Sequence, residues 1–159
     1  MPKLIKSNKS SVEFKEVEVM VNKCLRQLSR KEYGIVTNYT IAKKRAKRVL
    51  EVHTQYVRSY AGAGRILICV NRWQFSTGKV MTFEEYPSFN EHPTIGEFKG
   101  TNVDCLFALV AHEVSHHVQY AYLPHDRRYK HTYKKPHGDG FKLIYNILRR
   151  DLVNPLRKV

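Results

Sequence analysis

A chain of 159 residues, 42% of them hydrophobic and 26% charged, fits one domain large enough to bury a core without disulfides or oligomerisation. Its formal net charge of +14 would attract polyanions, nucleic acid above all, by a salt-sensitive and sequence-independent term that says nothing of fold or chemistry. Cys24, Cys69 and Cys105 lie far apart, are odd in number and lack Cys-x-x-Cys spacing, which excludes a disulfide framework and a zinc knuckle and leaves reduced, buried thiols of an intracellular protein.

The short basic start, Met1 to Lys9, leads into charged sequence rather than an apolar stretch, and no apolar run approaches the length that spans a bilayer. Neither export nor a membrane anchor is expected, and the expected location is cytoplasmic. Val12 to Tyr33 reads as a first helix, with Phe14, Val17, Val21, Leu25 and Leu28 in a stripe at helical spacing and Gly34 as its stop. A second helix is expected from Asn38, a good N-cap, to about Tyr60, with Ala42, Ala46, Val49, Leu50, His53 and Val57 on one face. Its other face carries Lys43, Lys44, Arg45, Lys47 and Arg48, a solvated side or a phosphate-contacting one.

Ala61-Gly62-Ala63-Gly64 breaks that helix. Ile66 to Val70 is a continuous, β-branched apolar run and predicts a strand buried on both faces. A turn at Ser76-Thr77-Gly78 predicts Val80 to Phe83 as its hairpin partner, and a short edge strand is expected around Ile95 to Phe98. The third helix, from about Asn102 to Tyr122, is apolar on nearly every side and should lie between layers of the fold. Pro124 marks its end. A basic loop follows, and His137-Gly138-Asp139-Gly140 opens a closing helix with Phe141, Ile144, Ile147, Leu148 and Leu152. The expectation is an α+β chain of one domain, 1–159, with its core at about 12–153.

The chemistry sits in the third helix, at His112-Glu113-Val114-Ser115-His116. Histidines four apart on a helix share a side and can reach one metal ion, and the glutamate beside them can hold a water. Unpaired imidazoles and a carboxylate in a core helix would be costly to desolvate, a cost that a metal removes. A catalytic zinc takes three protein ligands, so a third is required. No glutamate follows Glu113, and the positions three and six after His116 are Gln119 and Tyr122, which excludes two familiar ways of completing such a site. The aspartates are the weaker candidates; of the remaining histidines, His117 points about 100° away around the helix, His125 directly follows Pro124, and His131 lies in the basic loop. His137, at the start of a rigid element, is the favoured third ligand, with His131 as the alternative.

His112-Glu113-x-x-His116 followed by His137-Gly138-x-x-Phe141-Lys142 resembles the SprT-like, or Spartan-type, metalloprotease domain. The resemblance covers roughly residues 12 to 153. It implies a zincin-like metalloprotease core: N-terminal helices, a small sheet of about three strands, the motif helix and a closing helix. It implies zinc on His112, His116 and His137, Glu113 as the catalytic base, and a zinc endopeptidase acting on protein or peptide, with substrates among DNA-associated proteins. A transition-state donor would be sought among Tyr120, Tyr122, Tyr129 and Tyr133. The rival expectation is a basic nucleic-acid-binding protein whose metal site is structural and not catalytic.

Overall fold

The structure, a computed structural model, describes residues 7–54, 58–70, 79–89 and 91–158. The turn expected at Ser76-Thr77-Gly78, part of the basic N-terminal segment and residues 55–57 of the expected second helix lie outside the described residues. The chain is α+β, with helices around a three-stranded mixed sheet and a separate two-stranded sheet.

Helix α1 spans Val12–Leu28, with Ser11 accepting a hydrogen bond from the Phe14 amide, and the predicted stripe Phe14, Val17, Val21, Leu25 and Leu28 is buried. It stops short of Tyr33, because Ser29-Arg30-Lys31-Glu32 offers no apolar side chain to hold a further turn against the core. The helix is capped at Ser29 and not at the expected stop Gly34, which at φ 57 ends the following turn by donating to the Arg30 carbonyl, while the Ile35 and Val36 amides return to the Leu28 carbonyl.

Helix α2 spans Tyr39–Val49 from its Asn38 cap, burying Ala42 and Ala46 and exposing Lys43, Lys44, Lys47 and Arg48. The expected continuation to Tyr60 is wrong: Leu50–His53 is a strand, β1. Leu50, Glu51, Val52 and His53 pair in parallel with Ile66, Leu67, Ile68 and Cys69. A spacing that fits a helical face also fits an alternating strand over so short a run, and the sheet partner decides between them.

Tyr60–Gly62 forms β2 and Arg65–Cys69 forms β3, an antiparallel hairpin whose two-residue turn is Ala63-Gly64. The order β1-β3-β2 makes β3 the centre of the sheet, which explains its continuous apolar run, and leaves β2 at an edge. Val80–Phe83, β4, is a strand as expected but does not pair with β3. Both edges of β3 are already taken, so β4 pairs with β5, Phe98–Thr101, which lies slightly later than the strand expected at Ile95 to Phe98.

Helix α3, Asn102–Ala121, opens with a reciprocal capping box between Thr101 and Asp104. It packs against α1, β2, β3, β4, β5 and the closing helix α4, Asp139–Leu148, so the layer of the fold that it occupies is the middle one. Sixteen of its 20 residues are buried, including the whole of His112 to His117. Beyond α4 the chain continues through a single wide π turn, Arg149–Val153. Cys24, Cys69 and Cys105 are buried thiols. Among the described residues no helix is long and apolar enough to cross a membrane.

The start of α4 is held by close backbone approach. The Gly140 amide donates to the Thr132 carbonyl at 3.1 Å, and a Cβ at Gly140 would stand 2.6 Å from that oxygen and 2.8 Å from Leu123 Cδ1. Gly140→Ala is therefore expected to destabilise the fold by about 1–3 kcal/mol, read by urea denaturation. An unchanged midpoint would mean that the loop before α4 is not anchored in this way.

Candidate metal centre

Helical spacing puts His112 and His116 on one side of α3, and the loop anchored at Gly140 brings His137 over them from the N-terminal end of α4. One nitrogen from each ring lies within 4.8 Å of the others, and His116 Nε2 is 3.2 Å from His137 Nε2. Tetrahedral zinc bound at ~2.1 Å requires ligand nitrogens about 3.4 Å apart, so the separations lie within about 1.4 Å of that arrangement. His131 and His125 are exposed and stand outside the cluster. His117 is buried on another face, with Nδ1 2.9 Å from the Gly62 carbonyl of β2.

Phe141, one turn into α4, lies under all three imidazoles, with ring centroids 4.3 Å from His116, 4.9 Å from His112 and 5.0 Å from His137. This apolar floor keeps water from the back of the cluster. The front opens into a cleft of about 280 Å³ lined by Glu113, Tyr86, Tyr120, Arg58 and the β2 residues Tyr60 and Ala61.

Each motif histidine has a partner on its far nitrogen. His116 Nδ1 lies 3.1 Å from Gln119 Oε1, and Gln119 Nε2 donates to the carbonyls of Tyr133 and Lys135 at 2.9 and 2.6 Å. One side chain thus ties a ligand candidate to the loop that delivers His137. His112 Nδ1 is 3.2 Å from Glu85 Oε2, a close contact that lacks the alignment of a linear hydrogen bond. Partners of this kind fix ring orientation and leave the opposite nitrogen, Nε2, for a metal.

Burial dominates the electrostatics. It pushes Glu113 up to about 7 from its ordinary 4.5, against the opposing pull of His112, with the Glu85 charge adding to the rise. It pushes His116 down to about 3, and the neighbouring His112 acts in the same direction. His137 is also lowered, first by burial and then by His112. Neutral imidazoles that cannot easily take a proton and a carboxylate near neutrality form a donor set that fits a divalent cation with a proton acceptor beside it. The identity of the cation does not follow from the geometry.

Of the tyrosines considered as donors, Tyr120 lines the cleft, its ring stacked at 6.4 Å from His116. Tyr122 instead packs beside His117 and Arg45, Tyr129 lies under Arg128, and Tyr133 takes part through its carbonyl. Three residues of the site carry no motif signal: Glu85 and Tyr86 from the irregular stretch after β4, and Gln119. Tyr86 sits 4.3 Å from His137 between ring centroids, and its hydroxyl accepts a hydrogen bond from Arg58 Nη2 at 3.0 Å. Gln119 alone is accessible to sequence reasoning, since it is the helical neighbour of His116 at i+3.

Comparison of the chain with family models, with curated proteins and with solved structures finds no match.

The raised Glu113 has a thermodynamic signature in metal-free protein. Its folded pKa of about 7 exceeds the ordinary 4.5, so the carboxyl's contribution is fully present below pH 4.5 and is lost as pH rises toward 7. Glu113→Gln removes that loss. Its unfolding free energy relative to wild type should grow by up to about 3 kcal/mol between pH 4.5 and 7 in urea titrations. Parallel stability curves would show that Glu113 is not desolvated.

Proposed function

We propose that this protein is a zinc-dependent endopeptidase of the SprT-like type, with a zincin-like core in which His112, His116 and His137 hold the metal and Glu113 is the catalytic base. The observation that carries the reading is a buried carboxylate poised near neutrality beside three converging imidazoles, in the same cleft. A structural metal site needs ligands but has no use for that carboxylate.

Zinc, when bound, supplies a Lewis acid and acidifies a water at its open position. The chain's own residues do the rest. Glu113 accepts the proton from the attacking water and later returns it to the leaving amine. The hydroxyls of Tyr120 and Tyr86, both on the cleft wall, are the candidates to donate to the oxygen that gains charge in the transition state. Phe141 and the α3 core exclude bulk water behind the histidines. The edge strand β2 borders the cleft through Tyr60 and Ala61, so an extended substrate can add to the sheet there by main-chain hydrogen bonds. Such a mode suits cleavage within a chain rather than at its end.

The charge of +14 and the exposed lysines and arginine of α2 support substrates among DNA-associated proteins, delivered by the polyanion. The opposing reading is a nucleic-acid-binding protein with a structural metal, and the same basic face favours it equally.

Hydrolysis of an unfolded protein substrate separates the two. Glu113→Gln should keep its zinc and lower kcat/KM by about 10²–10⁴-fold. Activity should rise on adding DNA and fall with salt. Zinc-loaded wild-type protein that cleaves nothing under any of these conditions would favour the structural site. Activity indifferent to DNA and salt would remove the DNA connection alone.

A further inference from the structure

Arg149 is the largest fully buried side chain among the described residues, 0% exposed, and nothing in the proposed chemistry uses it directly. It stands at the junction of α4 and the π turn Arg149–Val153, one turn beyond Tyr145. Its guanidinium is fixed on every side: Nε donates to Asn154 Oδ1 at 2.9 Å, Nη2 to the Gly96 carbonyl at 2.8 Å and Nη1 to the Tyr145 hydroxyl at 3.1 Å. Nη1 also lies 3.6 Å from Glu85 Oε1, whose side chain is only 2% exposed.

Glu85 divides its two oxygens. Oε1 accepts from the Tyr145 hydroxyl and faces Arg149, while Oε2 faces His112 Nδ1 at 3.2 Å. A buried Arg–Glu pair is a poor way to gain stability, because well-packed apolar side chains of the same volume do as well or better. The pair does achieve something that apolar residues cannot. It holds a carboxylate at one fixed place behind the first motif histidine, 3.2 Å from Nδ1, so that this side of the ring is occupied and the opposite ring nitrogen is left for a metal.

We infer that Arg149 is a positioning residue of the metal centre: acting through Glu85, it fixes the orientation in which His112 presents its ligand nitrogen. Without the guanidinium, the buried Glu85 carboxylate keeps, on its far side and among the described residues, only the Tyr145 hydroxyl, and it shifts to find compensation. The imidazole that it faces then loses its stop. The turn geometry contributes, since π turns cluster at functional sites and this one sets the guanidinium between Tyr145, Asn154 and the Gly96 carbonyl.

The inference rests on the metal-site reading, and zinc titration of the full chain against a chromophoric competitor tests both. Arg149→Met and Glu85→Gln should each weaken zinc binding by about 10–100-fold, the scale found when the outer partner of a ligand histidine is lost. The decisive comparison is the double variant Glu85→Gln/Arg149→Met. If Arg149 acts through Glu85, this variant binds zinc as Glu85→Gln alone does, because the second substitution has nothing left to act on. Visible absorption of the cobalt(II)-loaded proteins reads the same change of ligand geometry without reference to stability.

Wild-type affinity in Arg149→Met would overturn the inference and leave the metal site standing. So would a double variant that binds more weakly than Glu85→Gln, since Arg149 would then act by another route. If Arg149→Met fails to fold, the comparison of Glu85→Gln with the double variant, which carries neither buried charge, decides alone by the same criterion. Wild-type protein that binds no zinc overturns the inference and the metal-site reading together.

Discussion

Two imidazoles and a carboxylate lie on a helix that the core surrounds. His112, Glu113 and His116 are 7%, 4% and 8% exposed, and the residues between and beside them are Ala111, Val114, Ser115 and the buried His117. Polar groups stripped of water at this depth must find partners or change protonation. Each element around α3 responds to that demand. Gln119 and the carbonyls of Tyr133 and Lys135 secure His116, Glu85 faces His112, Arg149 and Tyr145 secure Glu85, and His137 arrives from the loop anchored at Gly140. A cation among the three nitrogens would supply what the protein side chains leave over.

In the proposed chemistry the same burial is the source of reactivity. Desolvation keeps His116 and His137 neutral, and so able to bind a metal, while it raises Glu113 to a range where it can both take and return a proton. Burial shifts any carboxyl up and any imidazole down, so it is the convergence of these groups on one cleft, and not the opposite signs, that supports the acid–base role proposed for them. The cleft in front, about 280 Å³, is bordered by β2, a strand at the edge of its sheet, which supports the proposed extended substrate.

Much of this is legible in the sequence, and the failures have physical reasons. α1, α3 and β3 are readable because long periodic or continuous apolar runs report burial directly. The α2–β1 boundary is not, since Leu50 and His53 continue the helical face of Ala42 and Ala46 while Leu50 and Val52 fit strand alternation, and β3 supplies the partner that decides. The pairing of β4 is hidden because sequence proximity points to β3, whose edges β1 and β2 occupy. At the site, the helical pair follows from spacing, and His137 stands out because it opens a rigid element. Glu85, Tyr86 and Arg149 reach the histidines only through tertiary packing, and no local pattern marks them. The resemblance to SprT-like proteases likewise rests on the histidines, Glu113, Gly138, Phe141 and Lys142, and says nothing of that outer layer.

The central claim is that one cation sits among His112, His116 and His137. Elemental analysis of protein purified without chelator tests it most directly, on wild type and on the His112→Ala, His137→Ala and His131→Ala variants. The account predicts about one zinc per chain in wild type and His131→Ala, and loss of the metal from the other two while they remain folded. Folded wild-type protein without bound metal, or metal retained in His137→Ala and lost in His131→Ala, would contradict it.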